Sequence, residues 1–239
     1  MNSIQNLKWR YAVKKFDSTR LLSQRQINIL KEAFNLTATS YGLQPIKLVI
    51  VNNKELQKKL VEHSYNQQQV EQASHLLVFC VDTYMNEKDV ENYFDRVQKI
   101  RNTPDEIINP FRNYLKDVIS GKSSEELFSW AKNQAYLALG NLLTVCANEQ
   151  IDSCPMEGFI PKKYDDLLNL KEKNLTSVLV LPVGFRADDD FMKNQKKVRK
   201  ILSDVILEIS LYQSLVSPNQ LPQGKPQGIK PLAIALRLI

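Results

Sequence analysis

Four short segments carry residue types able to hold or activate a ligand. The first is Arg10-Tyr11-Ala12-Val13-Lys14-Lys15-Phe16-Asp17. Cations interleaved with apolar residues on an extended stretch can hold an anionic group, and the same residues suit a solvated basic face. The second, Thr37-Ala38-Thr39-Ser40-Tyr41-Gly42-Leu43-Gln44-Pro45, combines hydroxyls, a glycine and a proline after a helix end. Such a stretch serves equally as a ligand loop or a helix terminator. The third is Cys154-Pro155-Met156-Glu157-Gly158-Phe159. With Gly158 at positive φ its backbone N–H groups can face a ligand; the other reading is an ordinary turn. The fourth, Lys196-Lys197-Val198-Arg199-Lys200, follows an acidic loop. It suits a phosphate clamp, solvated charge or nonspecific nucleic-acid contact.

Other chemistries have little to build on. The chain has two histidines, His63 and His75, and three widely spaced cysteines, Cys80, Cys146 and Cys154. These give no Ser–His–Asp or Cys–His nucleophile set, no metal pattern and no disulfide frame.

The elements that must position the four segments follow from periodicity. Residues 23–35 place Ile27, Leu30 and Phe34 at helical spacing behind Ser23. The runs at 47–51, 75–81 and 175–185 are short, β-branched and apolar, and predict buried strands. Residues 53–64 predict an amphipathic helix, 86–102 and 105–120 surface helices, and 161–168 a short helix. The strongest helix signal is 123–150, opening at Ser124 with acids in its first turn. From Ala135 to Ala147 it is apolar on nearly all sides, which predicts burial all round, in a core or at a subunit interface. Helices alternating with short strands predict a sheet covered on both faces.

Composition bounds the rest. The 239 residues are 43% apolar and 24% charged, as in a globular protein. No run of 18 apolar residues is present, which predicts no membrane span, and the N-terminus lacks the features of a secretory signal. A cytoplasmic location is expected. The net charge of +6 is uneven: residues 1–31 hold seven cations and one acid, 191–239 hold eight cations and two acids, and the middle is acidic. Basic ends alone would also suit a nucleic-acid or anionic-surface binder, although no helix-turn-helix, zinc or RNA-binding signature is present.

Taken together, the motifs resemble the FMN-dependent nitroreductase family, of the oxygen-insensitive NAD(P)H nitroreductase and dihydropteridine reductase type. The matching pieces, in order, are Arg10-Tyr11-x-x-Lys14-x-Phe16-Asp17, TSYGLQP at 39–45, ASHLLVFC at 73–80, NQAYLALGNLL at 133–143, PMEGF at 155–159, LPVGFR at 181–186 and KKVRK at 196–200. The resemblance covers roughly residues 1–210. It implies an α+β fold with a central mixed sheet flanked by helices, in an intertwined homodimer with C-terminal strand exchange through 202–209. Residues 211–239 have no counterpart in the family, and their Pro- and Gly-rich part at 218–228 reads as irregular.

The resemblance also implies roles. Arg10, Tyr11, Ala12 and Lys14 would face FMN, with Lys14 near the pyrimidine edge, where its charge favours the reduced flavin. Asn66, Gln69 and Gln134 would hydrogen-bond the cofactor, and Pro155, Met156, Glu157 and Gly158 would lie against the ring with a backbone N–H of Glu157 or Gly158 at N5. Lys197 and Arg199 would grip the phosphate. Ala38, Thr39 and Ser40 would come from the other subunit. Lys14 and Glu157 are the implied catalytic residues. Two positions depart from many relatives: Ala12 removes a hydroxyl, and Gln69 replaces a lysine. The implied reaction takes two electrons from NAD(P)H through flavin to an electron-poor small molecule in a ping-pong cycle. Relatives of this kind include flavin reductases and dehalogenases, and a non-turnover flavin binder is the other reading. Tyr93, Phe94, Phe111 and Tyr114 are candidates to gate the acceptor or to pack the core. No nucleic-acid or membrane partner is expected.

Overall fold

The computed structural model describes residues 2–209. Residues 2–195 form one compact unit; the described part of a second begins at Lys196. The expected tail at 211–239 lies outside the described residues.

The three expected strands form, as β1 (Ile46–Val51), β2 (His75–Asp82) and β4 (Leu175–Gly184), with a short β3 (Asp152–Ser153). Their order is β1-β2-β4-β3. All four pair antiparallel, and the parallel component is an isolated bridge between Ala12 and Ser153. The β2–β4 register slips between Phe79 and Cys80, which face Leu179 and Ser177.

Alternation along β2 explains why its sequence is apolar throughout. Leu76, Val78 and Cys80 join Val180, Leu60, Val70 and Tyr164 on one face. Leu77, Phe79 and Val81 join Leu179, Leu181, Leu30 and Leu142 on the other. With successive side chains on opposite faces, both sets must be apolar when helices cover both.

The described residues include eight α-helices: α1 (Ser3–Trp9), α2 (Gln24–Asn35), α3 (Lys54–Glu62), α4 (Gln69–Gln72), α5 (Glu87–Arg101), α6 (Asp105–Ser120), α7 (Ser124–Asn148) and α8 (Pro161–Leu167). Capping boxes start α2 (Ser23 with Gln26) and α7 (Ser123 with Glu126). The α7 cap is therefore Ser123, one residue before the expected Ser124. The α1 helix carries little apolar periodicity; a box of Asn2 with Gln5 starts it, and Asn6 bonds Asn148 of α7 at 2.8 Å.

Two expectations that involve a second subunit are not tested by one chain. Among the described residues α7 is buried on one side only: Ala135, Ala138 and Leu142 are covered, while Tyr136, Leu137 and Gly140 are exposed. Residues 202–209 form no strand here. Leu202–Asp204 is a 3-10 turn, and the stretch that follows is exposed. A strand needs a neighbour for its N–H and C=O groups, and among the described residues this stretch pairs with none. No helix among the described residues is long and apolar enough to cross a membrane.

Candidate active site

Residues 11–16 are anchored at Val13 and Phe16. Val13 and Phe16 are buried in the sheet's first core, and Val13 N–H donates to Ser153 O at 3.3 Å. Tyr11, Ala12 and Lys14 are left half-buried between core and surface. The Lys14 ammonium lies 3.8 Å from the Cys154 sulfur and, among the described residues, forms no ion pair. Its main-chain N–H donates to the Asp190 carboxylate at 3.1 Å, and the Tyr11 hydroxyl donates to the same oxygen at 3.2 Å. Burial raises the Tyr11 pKa, opposed by the Arg186 charge, so the hydroxyl stays a donor. Arg10 is half-buried at the end of α1, close enough to Cys146 to offset part of the burial that pushes that thiol up to about 12.

The segment after β3 extends the sheet for two more residues. Cys154 N–H donates to Pro182 O at 3.1 Å, and Met156 exchanges hydrogen bonds with Val180 at 2.8 and 3.1 Å. This pairing turns Cys154 and Met156 inward and leaves Glu157 exposed. The chain then bends, with Phe159 N–H on Glu157 O. Among the described residues, the N–H groups of Glu157 and Gly158 meet no acceptor. The Glu157 carboxylate accepts from Tyr136 of α7 at 2.7 Å.

Gly158 does not need positive φ; among the described glycines only Gly42 has it. Its requirement is space, since an added Cβ would sit 3.0 Å from Gln67 Nε2. Gln67 donates to Gly158 O at 2.9 Å and accepts from Gln69 at 3.0 Å. Gln69 is buried, and its amide also reaches the Cys154 sulfur at 3.9 Å. Lys14 and Gln69, far apart in sequence, thus converge on one thiol. Burial raises the pKa of that thiol and Lys14 opposes the shift. Asn66 is exposed, and it and Tyr65 take left-handed φ of 59° and 51° where the chain turns into α4.

The second loop meets α7 on another face. Ser40 N–H donates to Gln134 Oε1 at 2.8 Å, and Gln134 Nε2 donates to Trp130 O at 3.2 Å. Gln134 is buried, and both ends of its amide have partners in its own chain. Ala38 is exposed, and the Thr39 hydroxyl is buried without a hydrogen-bond partner. Residues two apart on a helix differ by about 200°, so Gln134 and Tyr136 point to nearly opposite sides. In one chain the Ser40–Gln134 pair and the Glu157 turn therefore flank α7 rather than meet.

The aromatic candidates divide. Phe94 is core, and Tyr93 closes over Gly42. Phe111 stacks on the exposed Tyr114, with centroids 6.1 Å apart, and meets the exposed Tyr41 edge-on. Lys197 and Arg199 lie on the exposed stretch after Lys196, where Arg199 Nη1 reaches Val198 O at 2.6 Å. Sequence reasoning missed Asp190, Gln67 and Tyr136, and quoted Cys154 without assigning it a part. Each acts through a contact far along the chain, and only the consecutive acids at 188–190 drew notice, as a loop.

The Nitroreductase family model matches residues 7–185. Protein SERP2086 of Staphylococcus epidermidis is 32% identical over 212 residues, spanning 83% of this chain and 92% of that protein. The oxygen-insensitive NAD(P)H nitroreductase of Enterobacter cloacae is 28% identical over 210 residues, spanning 83% and 95%. An Exiguobacterium sibiricum crystal structure in complex with FMN has the same fold, with a TM-score of 0.76 at 17% identity, over 87% of this chain and 98% of that one. The chain therefore has a nitroreductase-like fold and belongs to the Nitroreductase family.

Proposed function

We propose that the protein is an FMN-dependent oxidoreductase that moves two electrons from NAD(P)H to an electron-poor small molecule in a ping-pong cycle. The observation that carries this reading is the set of unused donors around the Cys154–Gly158 turn. A donor without a protein partner is open to water or to a ligand. Here the N–H groups of the exposed Glu157 and the half-buried Gly158 have no protein acceptor among the described residues. The Lys14 ammonium, which among those residues meets the Cys154 sulfur but no carboxylate, lies against the same Cys154–Gly158 segment beside the Gln67–Gln69 pair. That donor set fits a heterocycle whose ring nitrogens and carbonyl oxygens accept hydrogen bonds, and FMN, present in the Exiguobacterium structure, is such a ligand.

When bound, FMN supplies the centre that accepts hydride and then delivers electrons. Lys14 would supply positive charge to a bound flavin, and among the described residues no carboxylate neutralises its ammonium. The Glu157 and Gly158 N–H groups would hydrogen-bond the ring, while Gln69 and Asn66 would hold its polar edge. Arg10, Tyr11, Ala12, Pro155 and Met156 would line the remainder, and Lys197 and Arg199 would carry the phosphate. Tyr136 keeps the Glu157 carboxylate tied to α7. Protons come from solvent.

The site is completed by a second copy of the chain. The exposed Tyr136, Leu137 and Gly140 side of α7 is where the copies meet, and Ala38, Thr39 and Ser40, anchored by Gln134, reach the partner's cofactor. Residues 202–209 then find on the partner the strand neighbour they lack alone. The acceptor is a nitroaromatic, quinone, pteridine or flavin.

Purified protein should take up FMN, turn yellow and bleach when NAD(P)H is added without oxygen. Protein that takes up no FMN defeats the reading, and yellow protein that never bleaches makes it a flavin carrier. Mixing dimers inactivated at Lys14 with dimers inactivated at Ser40 should restore activity; no recovery would rule out the shared site.

A further inference from the structure

We propose that Asp190 is a positioning residue for this reaction, a carboxylate that fixes the Lys14 main chain and the Tyr11 ring so that the Lys14 ammonium is held ready for bound flavin. The proposal rests on the flavin reading of the site.

Three consecutive acids at 188–190 behave in three ways. Asp188 and Asp189 are exposed and pair with Lys193 and Lys15. Asp190 is 3% exposed and, among the described residues, pairs with no cation. Its charge is stabilised by neutral donors instead. One oxygen accepts from Lys14 N–H and the Tyr11 hydroxyl, and the other accepts from Met192 N–H at 3.0 Å. Burying a carboxylate is costly unless such bonds compensate.

Those bonds join two segments far apart in sequence. Asp17 N–H bonds Phe185 O at 2.8 Å, and Ala187 N–H bonds Lys15 O at 2.9 Å. One residue earlier, the Lys14 N–H goes not to backbone but to the Asp190 side chain. The carboxylate thereby sets the course of the main chain at the residue whose ammonium reaches Cys154. Asp190 also raises the pKa of the Cys154 thiol through its charge, which places it beside the same cluster. A lysine ammonium rides on a flexible four-carbon stem, so a fixed root narrows where it can be. Asp190 does this through Lys14 and needs no contact with the cofactor.

Binding of FMN to apo-protein, followed by quenching of flavin fluorescence, tests this without turnover. Asp190→Ala should weaken binding at least about tenfold, equal to about 1.4 kcal/mol. Asp190→Asn can still offer one oxygen to Lys14 N–H and should retain most of the affinity. Because Asp190 acts through Lys14, adding Asp190→Ala to Lys14→Ala should cost little further affinity. Losses that multiply in the double variant, or an Asp190→Ala protein that binds FMN like wild type, overturn the proposal. If circular dichroism shows Asp190→Ala unfolded, the same cycle is run with Tyr11→Phe, which keeps the carboxylate and removes one of its donors. Absence of coupling to Lys14→Ala there is equally decisive. A wild-type protein that binds no FMN defeats the flavin reading, whereas normal binding without coupling defeats this inference alone.

Discussion

Two corners of the sheet use similar parts and end differently. Where α8 meets β4, Asp165 is buried and accepts from Ser177 N–H, the Ser177 hydroxyl and the Thr176 hydroxyl, at 2.7–2.8 Å. Beside it, Tyr164 and Ser64 share a hydrogen bond at 2.6 Å, and Ser64 donates on to Leu60 O. Every donor in that corner has a partner in the chain. Near Cys154 a buried carboxylate, Asp190, is likewise satisfied, yet among the described residues the Glu157 and Gly158 N–H groups of the adjoining turn meet no acceptor and the Lys14 ammonium meets only a thiol. The first corner is closed by its own residues; the second lacks acceptors that a ligand can bring. Unpaired donors beside rigid, fully paired neighbours are what separates a site from packing.

The contrast can be broken by exchanging the symptoms. Asp165→Ala strands a buried Ser177 N–H and should lower stability by about 3 kcal/mol in urea denaturation, with FMN affinity of the folded protein unchanged. A normal stability with lost FMN binding would show that the two corners do the same job. Lys14→Ala should do the reverse: about a hundredfold slower flavin reduction by NAD(P)H in stopped-flow absorbance, with the urea midpoint held. A comparable loss of stability would make Lys14 structural.

A smaller effect comes from the closed side of the core. Burial raises the Cys146 thiol from 9.0 to about 12. The folded state then keeps its proton more tightly than the unfolded chain, so this contribution is complete below pH 9 and is lost as pH rises from 9 towards 12. Between pH 8 and pH 10, wild type should lose about 1 kcal/mol more stability than Cys146→Ala, measured by paired urea curves. An equal loss in both would remove Cys146 from the account. The smallest effect should come from Gly158→Ala, whose new Cβ pushes the flexible end of Gln67 off Gly158 O. FMN affinity should fall about threefold, with stability within about 1 kcal/mol of wild type. A full loss of folding would mean that the backbone there cannot yield.

Much of the frame was readable because burial on both faces leaves a continuous apolar run, as in 75–81 and 175–185, and because α7 has caps and length. The α1 helix was not, since its stability comes from a capping box and a contact to Asn148 rather than from an apolar stripe. The glycine at 158 was found for the wrong reason: backbone freedom was expected, while the contact that crowds a side chain there comes from the flexible end of Gln67, 91 residues away. Asp190 was hidden because three consecutive acids look alike until burial separates one. The choice between core and interface for α7 stayed open because an apolar helix does not say whose residues cover it.

The central strand has a consequence for how the chain is made. β2 can pair with β1 as soon as both exist, but its other neighbour, β4, begins only at Leu175. Translation of the intervening residues at about 5–20 per second leaves that edge open for roughly 5–20 s. During that time HLLVFCV presents unpaired backbone on an apolar strand, the kind of edge that templates aggregation. α7 is synthesised before β4 and can shield the face carrying Leu77 and Phe79, but not the edge. Yield of soluble protein should therefore follow how fast residues 83–184 are delivered, more than how stable the finished sheet becomes.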